Sequence, residues 1–257
     1  MQEILHYKEF GQGPPLVILH GLFGMLDNWQ TIAKRLAKHY TVFILDQRNH
    51  GKSFHQSPHT YEAMANDLEE FLESRWIYKT HLMGHSMGGK TAMKFAVDYP
   101  DFIDKLIVVD IAPKQYPPGH QVIFEALASI DLHQIKSRKE AEDILKQKIG
   151  LASIRQFLLK NLTRNKNGGF RWKMNLPVIE QYYPEILAPC LQEEDVFEGE
   201  TLFLKGERSP YITNSDEKNI FQHFPNAHIK TIPEAGHWLH AEAPEEVIKV
   251  VLSFLAQ

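Results

Sequence analysis

A chain of 257 residues, 43% of them hydrophobic, is long enough for one large α/β domain or for a domain carrying an insertion. A formal net charge of -4 supplies no global field to attract nucleic acid or an anionic membrane. Cys190 is the single cysteine, which excludes an intrachain disulfide, argues against a thiolate metal cluster and fits a reducing compartment. The start, Met1-Gln2-Glu3-Ile4-Leu5-His6, shows no basic stretch followed by an apolar one, and no apolar run approaches bilayer length. The expectation is a cytoplasmic protein without membrane insertion.

Short apolar runs read as buried parallel strands, and the segments between them carry a helical period. Pro15 to His20 is the first such strand, ending in Gly21-Leu22-Phe23-Gly24. A helix follows, with Asp27 as its expected N-cap and Trp29, Ile32, Ala33 and Leu36 on one face. Tyr40 to Leu45 is the next strand and stops at Asp46. Thr60 then caps a helix that turns Met64, Leu68, Phe71 and Leu72 inward. A short strand around His81 to Met83 leads into a helix that Pro100 closes, and Lys105 to Asp110 forms a further strand. This alternation predicts a doubly wound, mostly parallel sheet.

The rhythm changes after Pro113. From 114 to 198 there are helical periods (Val122 to Ile130, Ala141 to Ile149, Ile154 to Leu162) and no convincing strand. Strand rhythm returns at Thr201 to Leu204 and at Ala227 to Ile232, and Pro244 opens a last helix through Leu255. The expected organisation is a core domain, 1–113 and 199–257, with a helical cap inserted at 114–198. The cap is polarised: residues 132–176 hold 11 Lys or Arg against 3 Asp or Glu, and residues 177–200 hold 7 acids and no base. Two solvated faces account for this, or a basic rim for an anionic substrate such as a coenzyme A thioester.

The chemistry concentrates at Gly84-His85-Ser86-Met87-Gly88, a G-x-S-x-G turn between a strand and a helix. Such a turn holds a serine hydroxyl out at the tip of a sheet and puts the Met87 amide at a helix N-terminus, where developing negative charge is favoured. A serine needs a base. His237, in Pro233-Glu234-Ala235-Gly236-His237-Trp238 between the last strand and the last helix, is the best placed, with His240 a weaker competitor. The third group is a carboxylate that orients the imidazole. The loop Leu204-Lys205-Gly206-Glu207-Arg208-Ser209 offers Glu207 and Ser209, but Asp110, a charged residue ending an apolar strand, is the assigned acid. Ser209 is then a second hydrogen-bond partner for His237, and Glu207 the fallback acid. The backbone N–H of Leu22, just past the first strand, is the expected second oxyanion donor beside that of Met87.

Other features are weaker. Asp46-Gln47-Arg48-Asn49-His50-Gly51-Lys52-Ser53 lacks the spacing of a nucleotide-binding loop, so Arg48 and Asn49 read as braces near the nucleophile. The 14 histidines show no metal-ligand spacing, so a metal site is not expected. His85 reads as a packed neighbour of the site. Phe124, Phe157, Trp172 and Tyr182 are candidate walls of an apolar pocket beneath the cap.

With these residues placed, the chain resembles the α/β-hydrolase superfamily over nearly its whole length, and more closely the YbfF-type bacterial esterases. The resemblance rests on His20-Gly21-Leu22-Phe23-Gly24, Asp46-Gln47-Arg48-Asn49-His50-Gly51, Gly84-His85-Ser86-Met87-Gly88-Gly89, Val109-Asp110-Ile111-Ala112-Pro113 and, in the cap, Arg155-Gln156-Phe157-Leu158-Leu159-Lys160-Asn161-Leu162. It implies a cofactor-free carboxylesterase or thioesterase acting on small acyl esters or acyl-CoA-like substrates. The family shares the serine in the acid loop, which supports Asp110 as the carboxylate. One fold hosts many reactions, so two rivals stand beside a serine hydrolase with Ser86, His237 and Asp110: a carbon–carbon bond hydrolase or lyase with the same triad, and a ligand sensor with a nearly idle one.

Overall fold

The structure is a computed structural model that describes residues 4–166 and 168–257; Met1 to Glu3 of the N-terminal reading lie outside the described residues. In chain order the core opens with β1 (Tyr7–Phe10), β2 (Pro15–Leu19), α1 (Gln30–Leu36), β3 (Thr41–Leu45), α2 (Tyr61–Ser74), β4 (Thr80–His85), α3 (Met87–Asp98) and β5 (Ile103–Val109). An inserted segment follows: α4 (Gln121–Ala128), α5 (Arg138–Lys146), α6 (Ala152–Leu159), β6 (Leu162–Arg164), β7 (Phe170–Trp172), α7 (Leu176–Gln181) and α8 (Tyr183–Leu187). The core resumes with β8 (Thr201–Gly206), α9 (Glu217–His223), β9 (Ala227–Ile232), α10 (Leu239–Glu242) and α11 (Pro244–Leu255).

Seven strands form one sheet in the order β1-β3-β2-β4-β5-β8-β9. Every neighbouring pair is parallel except β1 with β3, an antiparallel edge absent from the sequence reading. Alternate residues of the central strands feed opposite faces, as a two-residue period requires. Val17, Leu19, Leu82, Leu106 and Val108 pack under α2 and α3, while Leu16, Ile18, Met83, Ile107 and Val109 pack under α1 and α11. The chain leaves β2 in one direction to β3 and returns on its other side to β4. That reversal opens a crevice at the carboxyl ends of β2 and β4, where ligands of such sheets bind.

Two local expectations need correction. Asp27 is no N-cap: a 3₁₀ turn over Leu26–Trp29 precedes α1, and the Asp27 carboxylate pairs with Lys8 at 2.5 Å instead. Thr60, by contrast, caps α2 as expected, its Oγ1 accepting from Ala63 N at 3.3 Å. The inserted segment does hold strands. β6 and β7 pair antiparallel over three residues each, too short for a periodic signal.

The inserted segment is moored to the core by a few polar side chains. Asn161 Nδ2 donates to Phe23 O at 2.7 Å, and Asn175 Nδ2 donates to Asn49 Oδ1 at 3.1 Å. Tyr61 OH donates to Ile186 O at 2.7 Å. The Lys90 ammonium, buried on α3, donates to Lys114 O at 2.8 Å and Ala188 O at 2.6 Å, one carbonyl from each end of the insertion. Burial lowers the Lys90 pKa to about 8. Among the described residues no helix is long and apolar enough to cross a membrane.

Candidate active site

Ser86 follows β4 and caps α3 with φ 53° and ψ -118°, a sparsely populated conformation that costs roughly 1–3 kcal/mol and persists only where its surroundings impose it. Here the Ser86 N–H is tied to Val109 O at 3.0 Å, and the next turn packs against the His20 loop. A Cβ placed on Gly88 would stand 2.5 Å from His20 O, so only glycine lets the two segments approach. This brings the loop bearing Leu22 beside the first turn of α3, where the Met87 N–H has no acceptor four residues back.

Asp110 follows β5 and is fully buried. Its Oδ1 accepts from Gly206 N at 2.9 Å, and its Oδ2 accepts from both His237 Nδ1, at 2.7 Å, and the Ser209 hydroxyl. The acid is therefore satisfied on both oxygens, as a buried carboxylate must be. The second donor comes close because residue 206 is glycine: a Cβ there would lie 2.4 Å from Gly236 O, inside the loop that carries His237. Ser209 was expected on His237; the structure puts its hydroxyl on the carboxylate. Glu207 is exposed and accepts from Glu234 N at 2.8 Å, away from the imidazole.

With Asp110 accepting at Nδ1, the Nε2 of His237 is the position left for chemistry. Ser86 and His237 share the wall of a cavity of about 270 Å³. Among the described residues no hydrogen bond joins the Ser86 hydroxyl to His237, a slack common in free enzymes that substrate takes up. A second cavity, of about 410 Å³, reaches Ser86 from the other side, past Met87, Lys90 and Tyr183. Leu22, Ser86, Gly119, His120 and Tyr211 border both.

The other histidines near the site are held neutral. His85 is buried, its Nε2–H donating to His237 O at 2.8 Å, and burial holds its pKa well below the usual value. His240 stacks on Trp29 with ring centroids 4.4 Å apart, and burial lowers it to about 3, which removes it as a rival base. Beside the Gly21–Gly24 loop His20, His50 and His59 form a buried row, lowered by burial to about 4, about 3 and about 2. The Asp46 loop is a brace, as its sequence suggests. Asp46 accepts from Leu26 N and Lys52 N, and Arg48 makes a two-pronged ion pair with Asp67 at 2.5 and 2.6 Å. Of the proposed walls, Phe157 lines the smaller cavity. Phe124 stands behind Phe23 and Tyr183, and neither Trp172 nor Tyr182 borders either cavity; Tyr183 does. No group of three or more His, Cys, Asp or Glu side chains suited to a metal ion occurs among the described residues.

A family model described as the alpha/beta hydrolase fold matches residues 14–244. The chain belongs to the α/β-hydrolase family. This α/β-hydrolase is 35% identical to "Esterase YbfF" of Escherichia coli, over 94% of this chain and 92% of the relative. It is 39% identical to the "sn-1-specific diacylglycerol lipase ABHD11" of Mus musculus, over 95% of this chain and 81% of that one. A solved structure titled "Marine microorganism esterase" superposes with a TM-score of 0.96 at 44% identity, covering 98% of this α/β-hydrolase and all of that chain. The expected kinship with YbfF-type esterases stands.

Proposed function

We propose that this α/β-hydrolase cleaves carboxylic esters by a serine mechanism, with Ser86 as nucleophile, His237 as general base and Asp110 as the carboxylate that orients it. The observation that carries this reading is the His237 Nδ1 to Asp110 Oδ2 contact at 2.7 Å, on a ring that shares its cavity with Ser86. Relatives named esterase and lipase support ester hydrolysis in general. Ser86 Oγ attacks the acyl carbon while its proton passes to His237 Nε2. The oxyanion is held by the Leu22 and Met87 amides, where one such donor contributes about 10²–10³ in rate. The intermediate collapses, the alcohol leaves with the proton from His237, and an acyl-Ser86 ester remains. Water, deprotonated by His237, attacks that ester; Ser86 recovers the proton and the acid departs.

The two cavities divide the substrate. A leaving oxygen must lie within reach of His237 Nε2, so the alcohol occupies the 270 Å³ cavity that His237 lines. The acyl chain then runs into the 410 Å³ cavity, which His237 does not border. Residues 114–198 act as a cap that roofs both. Thioesters, including acyl-CoAs, fit the same chemistry, and the basic stretch 132–176 supports an anionic leaving group.

Steady-state hydrolysis of p-nitrophenyl esters and acyl-CoAs of graded chain length, with Ser86→Ala as control, tests this. Turnover should fall at least about 10⁴-fold in the variant, and a fluorophosphonate should label Ser86 alone. Undiminished hydrolysis in Ser86→Ala would remove the nucleophile. No Ser86-dependent turnover on any ester or thioester would favour carbon–carbon cleavage or ligand sensing.

A further inference from the structure

We infer that Tyr211 is a positioning residue for His237: its ring face fixes the plane of the imidazole and favours the imidazolium that forms during turnover. This rests on the reading of His237 as general base. The two rings lie face to face, centroids 3.8 Å apart and 13° between planes. Tyr211 sits after β8, and its place is set from two directions. Its N–H donates to Ser209 Oγ at 3.3 Å, and its carbonyl accepts from the Tyr116 hydroxyl at 2.7 Å. That hydroxyl in turn accepts from Ala112 N at 2.8 Å, and the Tyr116 ring packs 5.4 Å from that of Tyr211. The stack is thus anchored both to the loop that satisfies Asp110 and to the start of the inserted segment.

The groups facing His237 explain why a π face matters there. From β5 comes the Asp110 carboxylate, at Nδ1. From β4 comes His85, its ring centroid 4.7 Å away and tilted by 39°, and from α10 comes His240, 5.1 Å from His85. His120, before α4, lies across the cavity junction; it too is pushed down by burial, with His237 itself opposing its charge. Those three histidines are neutral and bring no countercharge. A proton arriving on Nε2 therefore meets one carboxylate on the far edge of the ring and one electron-rich face, that of Tyr211. A phenol face attracts an imidazolium more than a neutral imidazole. The contact therefore strengthens as the proton transfers, which is the condition for it to raise kcat instead of merely tightening binding.

The test compares Tyr211→Leu, which keeps bulk and removes the π face, with Tyr211→Phe, which keeps the face. Tyr211→Leu should lose about tenfold in kcat with KM within about threefold, and the acid limb of its kcat/KM profile should move to lower pH by about half a unit. Tyr211→Phe should recover most of that loss and restore the acid limb. If the leucine variant does not fold, Tyr211→Met takes its place. In a Ser86→Ala background, NMR titration of the His237 ring protons reads the same shift without turnover, along with the upfield ring-current displacement that the stack imposes. A leucine variant with the parent's kcat and acid limb overturns the proposal. So does equal impairment of both variants, which would point to the hydroxyl. If the parent shows no Ser86-dependent turnover, the hydrolase reading fails separately, and an unshifted NMR midpoint in Tyr211→Leu then removes the stack's role as well.

Discussion

The carboxyl edge of the sheet and the inserted segment obey different constraints. At the edge, backbone geometry dictates residue type. Ser86 and Asp110 both sit at φ 53°, glycine is required where the His20 loop meets α3, and Gly206 lets the His237 loop reach Asp110. Among the described residues the inserted segment has no comparable density of strained or close contacts. It is held by Asn161, Asn175, Tyr61 and Lys90 and contributes cavity walls such as Phe157 and Tyr183. Under the proposed function, reaction chemistry and substrate choice fall on parts of the chain that can change separately.

The sharpest test of that division lies at the edge. Asp110→Asn should keep the fold but favour the wrong imidazole tautomer, lowering kcat by about 10³–10⁴-fold as in serine protease triads. Ser209→Ala removes one donor from the same carboxylate oxygen and should cost about tenfold or less, the scale of a single hydrogen bond to a charged group. Both are read from kcat at saturating ester, with thermal melts to confirm folding. If Ser209→Ala were the more damaging, the orienting role would rest with the serine and the edge would not work as described.

The same contrast governs what could be read from sequence. Strands β2 to β5 and β8 announce themselves as apolar runs because both faces are covered, the edge strand β9 by alternation alone, and the Gly84–Gly88 turn because its geometry admits few residue types. Asp110 was legible as a charge ending a buried strand. Its partners were not: that Ser209 donates to Asp110, and that Tyr211 lies on His237, depends on how the β8 loop folds back, a matter of 99 and 26 residues of separation. The hairpin β6–β7 was hidden by its length. Among the insertion's aromatics, sequence could not separate Tyr183, which faces the larger cavity, from Tyr182 beside it, because a one-residue step on a helix turns the side chain by about 100°. The mooring asparagines Asn161 and Asn175 were visible only as polar residues among apolar neighbours.

Acid should unfold the edge through its histidines. His20, His50 and His59 are neutral in the fold, with pKa values of about 4, about 3 and about 2, whereas an unfolded histidine titrates near 6.5. The unfolded chain therefore binds more protons below that value, and stability falls as pH drops. Their contribution is intact above about pH 6.5 and erodes below it. At pH 5.5 each histidine has cost about 1.4 kcal/mol, so the three should lower the melting temperature by about 10 °C relative to pH 7.5. His85 and His240, also buried and neutral, add to this fall, so His50→Gln should flatten the whole dependence by roughly a fifth. A melting temperature level from pH 7.5 to 5.5 would mean that the row is solvated or already protonated in the fold.

The smallest effect is expected in the insertion. Phe157 half-buries its ring in the wall of the smaller cavity, 5.6 Å from Trp238. Phe157→Ala leaves the Ser86, His237 and Asp110 contacts untouched and removes apolar surface that only a bulky alcohol group would touch. Values of kcat/KM for esters of large alcohols should shift about three- to tenfold, corresponding to roughly 1 kcal/mol of lost contact. Methyl and ethyl esters of the same acid should change less than about twofold. Because the ring is only partly buried, the stability cost should fall short of the roughly 3–5 kcal/mol of a fully buried phenylalanine. A loss of about a hundredfold on small and large esters alike would show that the insertion helps set the catalytic geometry, and the separation between the two regions would not hold.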